Sequence, residues 1–187
     1  MQSKRFIYIA GFVTLFGLGA AGILILYYFH NRNLNDIFFG SPHNFIKQIL
    51  FGTGYAIISS LILLYLLQNK MLDATRYFFS GLIKKYTIST LEILFLSFCA
   101  GVGEELLFRG AIQPWLGIWL TALIFIFLHG YLNPGDKPLF IYGTVLFLVS
   151  AGFGYLMENS GLIAAITAHC LIDIALMVYL KRSFIPK

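Results

Sequence analysis

Six stretches of this chain, from about residue 6 to 29, 49 to 67, 90 to 112, 118 to just past 129, 139 to 157 and 162 to 180, are apolar almost without interruption. That pattern limits the backbone first. In hydrocarbon no water satisfies an N–H or C=O, so a spanning segment must close its own hydrogen bonds as a helix or join a closed barrel. Long runs without alternating polarity fit helices rather than barrel strands. The expectation is an all-α, polytopic membrane bundle of about six transmembrane helices, one domain over residues 1–187. With 59% hydrophobic and 11% charged residues, the chain has too few polar side chains to cover such a surface in water.

Charge sets the orientation. With the N-terminus cytoplasmic, Lys4, Arg5, Lys70, Arg76, Lys84, Lys85, Lys137, Lys181, Arg182 and Lys187 fall on the inner side, and Arg32 and Lys47 on the outer side. This bias predicts that both termini are cytoplasmic. The net charge of +5 therefore reflects topology and not nucleic-acid binding. The first segment follows Lys4 and Arg5 and exceeds the roughly 7–15 residues of a signal-peptide core, so it reads as a retained span. Its Gly17–Gly22 patch offers small residues for close helix packing. Asn31, Asn33, Asn35 and Pro42 interrupt the linker that follows. Residues 69–86 are amphipathic, with Phe78, Phe79, Leu82, Ile83 and Tyr86 on one face and Arg76, Lys84 and Lys85 mostly on the other. This stretch reads equally as a surface-lying helix or as a cytoplasmic loop with aromatic anchors.

Against that apolar background, Gly101-Val-Gly-Glu-Glu-Leu-Leu-Phe-Arg-Gly110 stands apart. Each ion inside the bilayer costs several kcal/mol unless paired or useful. Helix arithmetic brings the buried polar groups to one depth. Glu104 precedes the Gln113-Pro114 turn by nine residues, or about 14 Å. His129 follows Gly117 by twelve, about 18 Å, and His169 and Asp173 follow Gly161 by eight and twelve, about 12 and 18 Å. Adjacent helical residues point about 100° apart, so Glu104 and Glu105 face differently. Glu105 and Arg109, at i and i+4, are spaced to pair, which leaves Glu104 free to face a cavity. His169 and Asp173 share a face by the same spacing.

A carboxylate in a low-dielectric pocket can act as a general base toward water, His129 can share that water's proton, and His169 can donate to an oxyanion. Cys170 points away from His169, and with Cys99 it reads as a small buried side chain. A water-attack hydrolase therefore fits better than a thiol nucleophile. Glu104, His129 and His169 are also a possible zinc set, but HExxH is absent and no ligand pair is spaced to bind as a local unit. The expectation is activated water with no required cofactor or metal.

These residues resemble the motifs of the CAAX prenyl protease and bacteriocin-processing family, also called the Abi or CPBP family of intramembrane glutamic-type endopeptidases. Glu104-Glu105-x-x-x-Arg109 is similar to its first motif, Phe125-x-x-x-His129 to its second and His169-x-x-x-Asp173 to its third. The resemblance covers about residues 90–180, the expected protease core. It implies an endopeptidase in which Glu104 and His129 activate water, His169 and residue 173 stabilise the oxyanion, and Glu105, Arg109 and Phe125 support the site. Asp173 stands where an Asn would be a plain donor. It either donates as a protonated acid or orients His169. The implied partner is a membrane-embedded or membrane-associated protein or peptide, and removal of a C-terminal membrane anchor is the favoured substrate class. The implied location is a prokaryotic cytoplasmic (inner) membrane. The alternative is a non-catalytic immunity protein or a small transporter using the cluster as a proton relay. A transporter should show paired interrupted helices in two related halves, whereas here the ionisable groups all fall in the second half.

Overall fold

A computed structural model describes residues 4–39 and 43–183; Pro42 and Lys187 lie outside the described residues. Seven helices follow in chain order: α1 (Arg5–His30), α2 (Leu34–Phe39), α3 (Phe45–Leu67), α4 (Asp73–Lys85), α5 (Thr90–Leu128), α6 (Lys137–Ser160) and α7 (Leu162–Arg182). No strand occurs among the described residues. Five of the helices, α1, α3, α5, α6 and α7, are long and apolar enough to cross a membrane. Large apolar side chains such as Phe16, Ile58, Leu61 and Leu91 stay exposed on their outer faces. That surface suits lipid, and the protein is an integral membrane protein.

All six apolar segments are helical, but the third and fourth belong to the single 39-residue α5. Gly117 (φ 71, ψ 173) interrupts it in a conformation that side chains disfavour. The chain reverses there, because Glu104 and His129 lie side by side although a straight helix would hold them about 37 Å apart. The turn expected across Pro114 and Gly117 is made by Gly117. Helix continues through Pro114, which enters where a wider π-wound stretch, Leu106–Ile112, ends. The returning arm, residues 118–128, is about 16 Å long, half of a roughly 30 Å hydrocarbon core. The fourth segment is therefore a half-depth arm, and for that reason the count of membrane-length helices is five.

Helix α1 lies flush against the rising arm of α5. Gly19 rests on the Cα of Gly103 at a distance that would leave an added Cβ 3.6 Å away, and a Cβ at Gly22 would come within 2.7 Å of the Leu106 backbone. Gly17, from the same small-residue patch, meets only its own helix. Both partners are π-wound near this crossing, over Val13–Leu18 and Leu106–Ile112. At the base of α5, Ser89 and Glu92 form a capping box, and Glu92 also accepts from Lys4 Nζ (3.0 Å) and Tyr8 Oη (3.2 Å). Glu92 is thus a buried clamp between α1 and α5. Helix α3 ties to α7 where Gln48 Oε1 accepts from the Ile163 N–H (3.1 Å), one of the free donors at the start of α7. Cys170 Sγ packs over Gly101, and Cys99 is buried, as expected for structural thiols. Lys4 and Ser183 meet the same connecting region, through Glu92 and Lys84 respectively, so both described ends gather at one end of the bundle.

The glycine contact between α1 and α5 predicts an asymmetric response to alanine. Gly22→Ala, which drives a methyl into the Leu106 backbone, should destabilise the protein by about 1–3 kcal/mol. Gly54→Ala has open space around it and should be neutral or stabilising by up to about 1 kcal/mol. Thermal unfolding of the two variants in detergent gives the comparison, and equal midpoints would mean that the crossing is not tight.

Candidate active site

The site is built on α5 and α7, with α6 closing its back. Glu104 and Glu105 sit on the last turn of regular helix before the π-wound stretch that carries Arg109. π-turns in helices recur at functional sites. Because adjacent residues diverge by about 100°, the two carboxylates serve different neighbours. Arg109, 1% exposed, lies with Nη1 3.3 Å from Glu105 Oε1. Its Nη2 donates to Ser150 Oγ (2.8 Å) and to the Ser150 carbonyl (3.1 Å) on α6. Phe125 and Phe153 place their ring centres 4.6 and 5.4 Å from the guanidinium carbon. The expected Glu105–Arg109 pair is present, within a cage that includes Phe125 of the second motif and two members, Ser150 and Phe153, that carry no motif. A polar Ser within an apolar helix was the available signal for the first; Phe153 had none.

Glu105 also has a second contact. Its Oε1 accepts from His169 Nδ1 at 2.8 Å. Because Nδ1 holds that proton, His169 presents Nε2 to the cavity, and it is Glu105, not Asp173, that fixes the ring through Nδ1. Phe153 stacks on the same ring at 5.2 Å and 16°. His129, at the end of the returning arm, lies 2.7 Å through Nδ1 from the Phe125 carbonyl. A carbonyl only accepts, so Nδ1 is the protonated nitrogen and Nε2 is left facing inward. Phe125 packs against His129 at 4.4 Å between ring centres, the support expected of it.

Glu104 Oε2 is the meeting point. It lies 3.8 Å from His129 Nε2 and 3.9 Å from His169 Nε2, while Asp173 Oδ2 lies 3.7 Å from His169 Nε2. These separations exceed direct hydrogen bonds of 2.7–3.2 Å. The four residues line one cavity of about 210 Å³, bounded by apolar side chains including Leu146, Val149, Ile172 and Leu176. Tyr131 and Tyr142 complete the wall. Tyr131 lies parallel to the His129 ring (5.8 Å, 9°). Neither tyrosine was marked by spacing, since both lie beyond the motif helices in sequence. His30 and His43, to which no role was assigned, lie outside this cavity; His30 Nε2 bonds the Ala111 carbonyl at 3.0 Å. Among the described residues no three His, Cys, Asp or Glu side chains converge as a metal-holding group.

A family model for the type II CAAX prenyl endopeptidase Rce1-like proteins matches residues 86–175, the segment that carries Glu104, Glu105, Arg109, His129, His169 and Asp173. The uncharacterized protein YpbD of Bacillus subtilis (strain 168) is 31% identical over 165 residues, covering 86% of this chain and 81% of that protein. No solved structure matches. Three polar motifs converging on one intramembrane cavity, inside the matched segment, agree with what the comparisons find: the chain belongs to the type II CAAX prenyl endopeptidase Rce1-like family.

Proposed function

We propose that this protein is an intramembrane endopeptidase that hydrolyses a peptide bond of a membrane-associated protein or peptide with water activated by Glu104 and His129. The observation that carries this reading is the pair of inward-facing imidazole nitrogens, 3.8 and 3.9 Å from one oxygen of Glu104. A water between Glu104 and His129 would donate one proton to each, since His129 Nε2 is an acceptor once Nδ1–H is committed to Phe125. The carboxylate takes the proton as the water oxygen attacks the scissile carbonyl. In its doubly protonated form His169 donates Nδ1–H to Glu105 and Nε2–H to the forming oxyanion. Protonated Glu104 then delivers its proton to the leaving amine, and the C–N bond breaks.

Glu105 and Arg109 act through His169 and are positioning residues. Asp173 lies at the oxyanion side of the imidazole and, as an acid, would supply a second donor. No step of this mechanism requires a metal. The Lys- and Arg-rich end of the bundle is assigned to the cytoplasm of a bacterial-type inner membrane. The cavity then lies near mid-depth and slightly toward the outside, a position that suits removal of a C-terminal membrane anchor.

Cleavage of tagged membrane substrates separates the two carboxylates. Glu104→Gln should fold normally and lose roughly 10²–10⁴-fold in turnover. Glu105→Ala should lose activity together with about 3–5 kcal/mol of stability, because it strands Arg109. Intact processing by Glu104→Gln would sink the mechanism. In the same assay, treatment with a strong chelator should leave turnover unchanged. A loss reversed only by zinc would replace this mechanism with metal catalysis.

A further inference from the structure

At the end of the bundle that holds both described termini, α4 and the last turn of α7 enclose a second cleft, of about 350 Å³, lined by Arg76, Tyr77, Tyr179, Arg182 and Ser183. We propose that this cleft binds the phosphate of an anionic phospholipid headgroup.

The cleft has the chemistry of a phosphate site. Arg76 is held in place by Asp73 Oδ1 (2.6 Å) and the Leu67 carbonyl (3.1 Å), and its guanidinium lies 5.2 Å from the Tyr77 ring centre. Those two bonds leave further N–H groups on a guanidinium that carries five. Asp73 offsets one charge. Arg182 is exposed and makes no ion pair among the described residues, so the cleft retains positive charge. Lys84 reinforces it from α4, where its Nζ donates to the Ser183 carbonyl at 2.8 Å. A planar guanidinium matches the oxygens of phosphate as it does those of a carboxylate, and phenolic O–H groups can donate to the same oxygens.

The lipid is favoured over free phosphate by the rest of α4. The amphipathic stripe divides when the helix docks. Ile83 is buried and Phe79 half-buried against the core, while Phe78 and Leu82 remain 65% and 43% exposed. Met71, just before the helix, is 47% exposed. An interfacial helix places such side chains among acyl chains and its cations at headgroup level. The site also reaches inward. Phe79 touches Tyr131 and Tyr142 (5.9 and 6.3 Å between ring centres), and Tyr131 stacks on His129. A headgroup that steadies α4 therefore steadies the wall of the cavity; this consequence rests on the proposed protease reading, whereas binding itself does not.

The test titrates phosphatidylglycerol, phosphatidylcholine and inorganic phosphate separately into the full-length protein in neutral detergent, with bound lipid counted by native mass spectrometry and phosphate binding read by calorimetry. Wild type should retain phosphatidylglycerol in preference to phosphatidylcholine. Arg182→Gln should weaken that binding roughly fivefold, and Lys137→Gln, a charge loss outside the cleft, should leave it unchanged. Should Arg182→Gln unfold, Tyr179→Phe provides the same comparison and should also weaken binding. Equal binding by wild type and the cleft variant, or an equal loss in Lys137→Gln, would overturn the site in favour of diffuse surface charge. Saturation by millimolar inorganic phosphate without phosphatidylglycerol retention would overturn the lipid assignment. None of these readings depends on protease activity, so a protein that binds the lipid and cleaves nothing would fail only the functional proposal.

Discussion

A guanidinium buried among hydrocarbon-facing helices is the constraint on which this structure depends. Arg109 is the largest of the fully buried side chains, and an isolated cation at such a depth is costly. The cost is met by several neighbours together: the Glu105 carboxylate, the hydroxyl and carbonyl of Ser150, and two aromatic faces. The partners come from three places. Glu105 is on the rising arm of α5, Phe125 on its returning arm, and Ser150 and Phe153 on α6. Satisfying Arg109 therefore fixes three pieces of backbone relative to one another. The candidate catalytic groups are neighbours of those same anchors, so the ion pair positions the site although it does not face the cavity centre.

The reversal at Gly117 does the corresponding work for His129. A helix that crossed the full bilayer would carry a residue at 129 toward the far surface. The half-depth arm instead ends beside Glu104. The price of stopping there is irregular backbone inside the membrane, since residues 129–136 must finish the crossing without a helix. Such backbone is tolerated when protein covers it or when it lines a cavity. His129 and Tyr131 meet the second condition by lining the cavity, whereas Gly130 and residues 133–135 are exposed. Gly130 adopts φ 74, and Gly143 on α6 leaves room for the Tyr131 carbonyl, which would lie 2.5 Å from an added Cβ. The seam places Tyr131 against His129.

Much of this was legible because charge is conspicuous in an apolar chain. The depth arithmetic that placed Glu104, His129, His169 and Asp173 in one layer needed only helical rise and the turns at Gln113-Pro114, Gly117 and Gly161; the first of these lies instead at Gly117, and the four side chains do line one cavity. What was not legible was pairwise. Spacing within a helix finds Glu105–Arg109, but Glu105–His169 is a contact across 64 residues and requires the packing of α7 on α5. Six apolar segments gave five membrane-length helices because hydropathy measures composition and cannot register that eleven residues reach only half-way. The amphipathic stripe of α4 was visible, while its division between core and lipid was not, since periodicity does not say how far a helix rolls when it docks.

The protonation pattern of the site follows from anchors outside the cavity. Two imidazoles face one carboxylate, and in each the nitrogen that points inward is Nε2. The reason differs between them. His129 spends Nδ1 on the carbonyl one turn back in its own helix, a neutral acceptor, whereas His169 spends Nδ1 on a carboxylate that is itself held by Arg109. With Nδ1–H committed to a carbonyl, the inward nitrogen of His129 is left to accept, while His169, anchored on a carboxylate, turns its Nε2 to the same cavity. Similar side chains, set opposite each other, thus hang from unlike anchors, one a carbonyl and the other a carboxylate. In this arrangement the adjacent pair Glu104-Glu105 is one device: the first carboxylate faces the cavity, and the second holds the histidine opposite it.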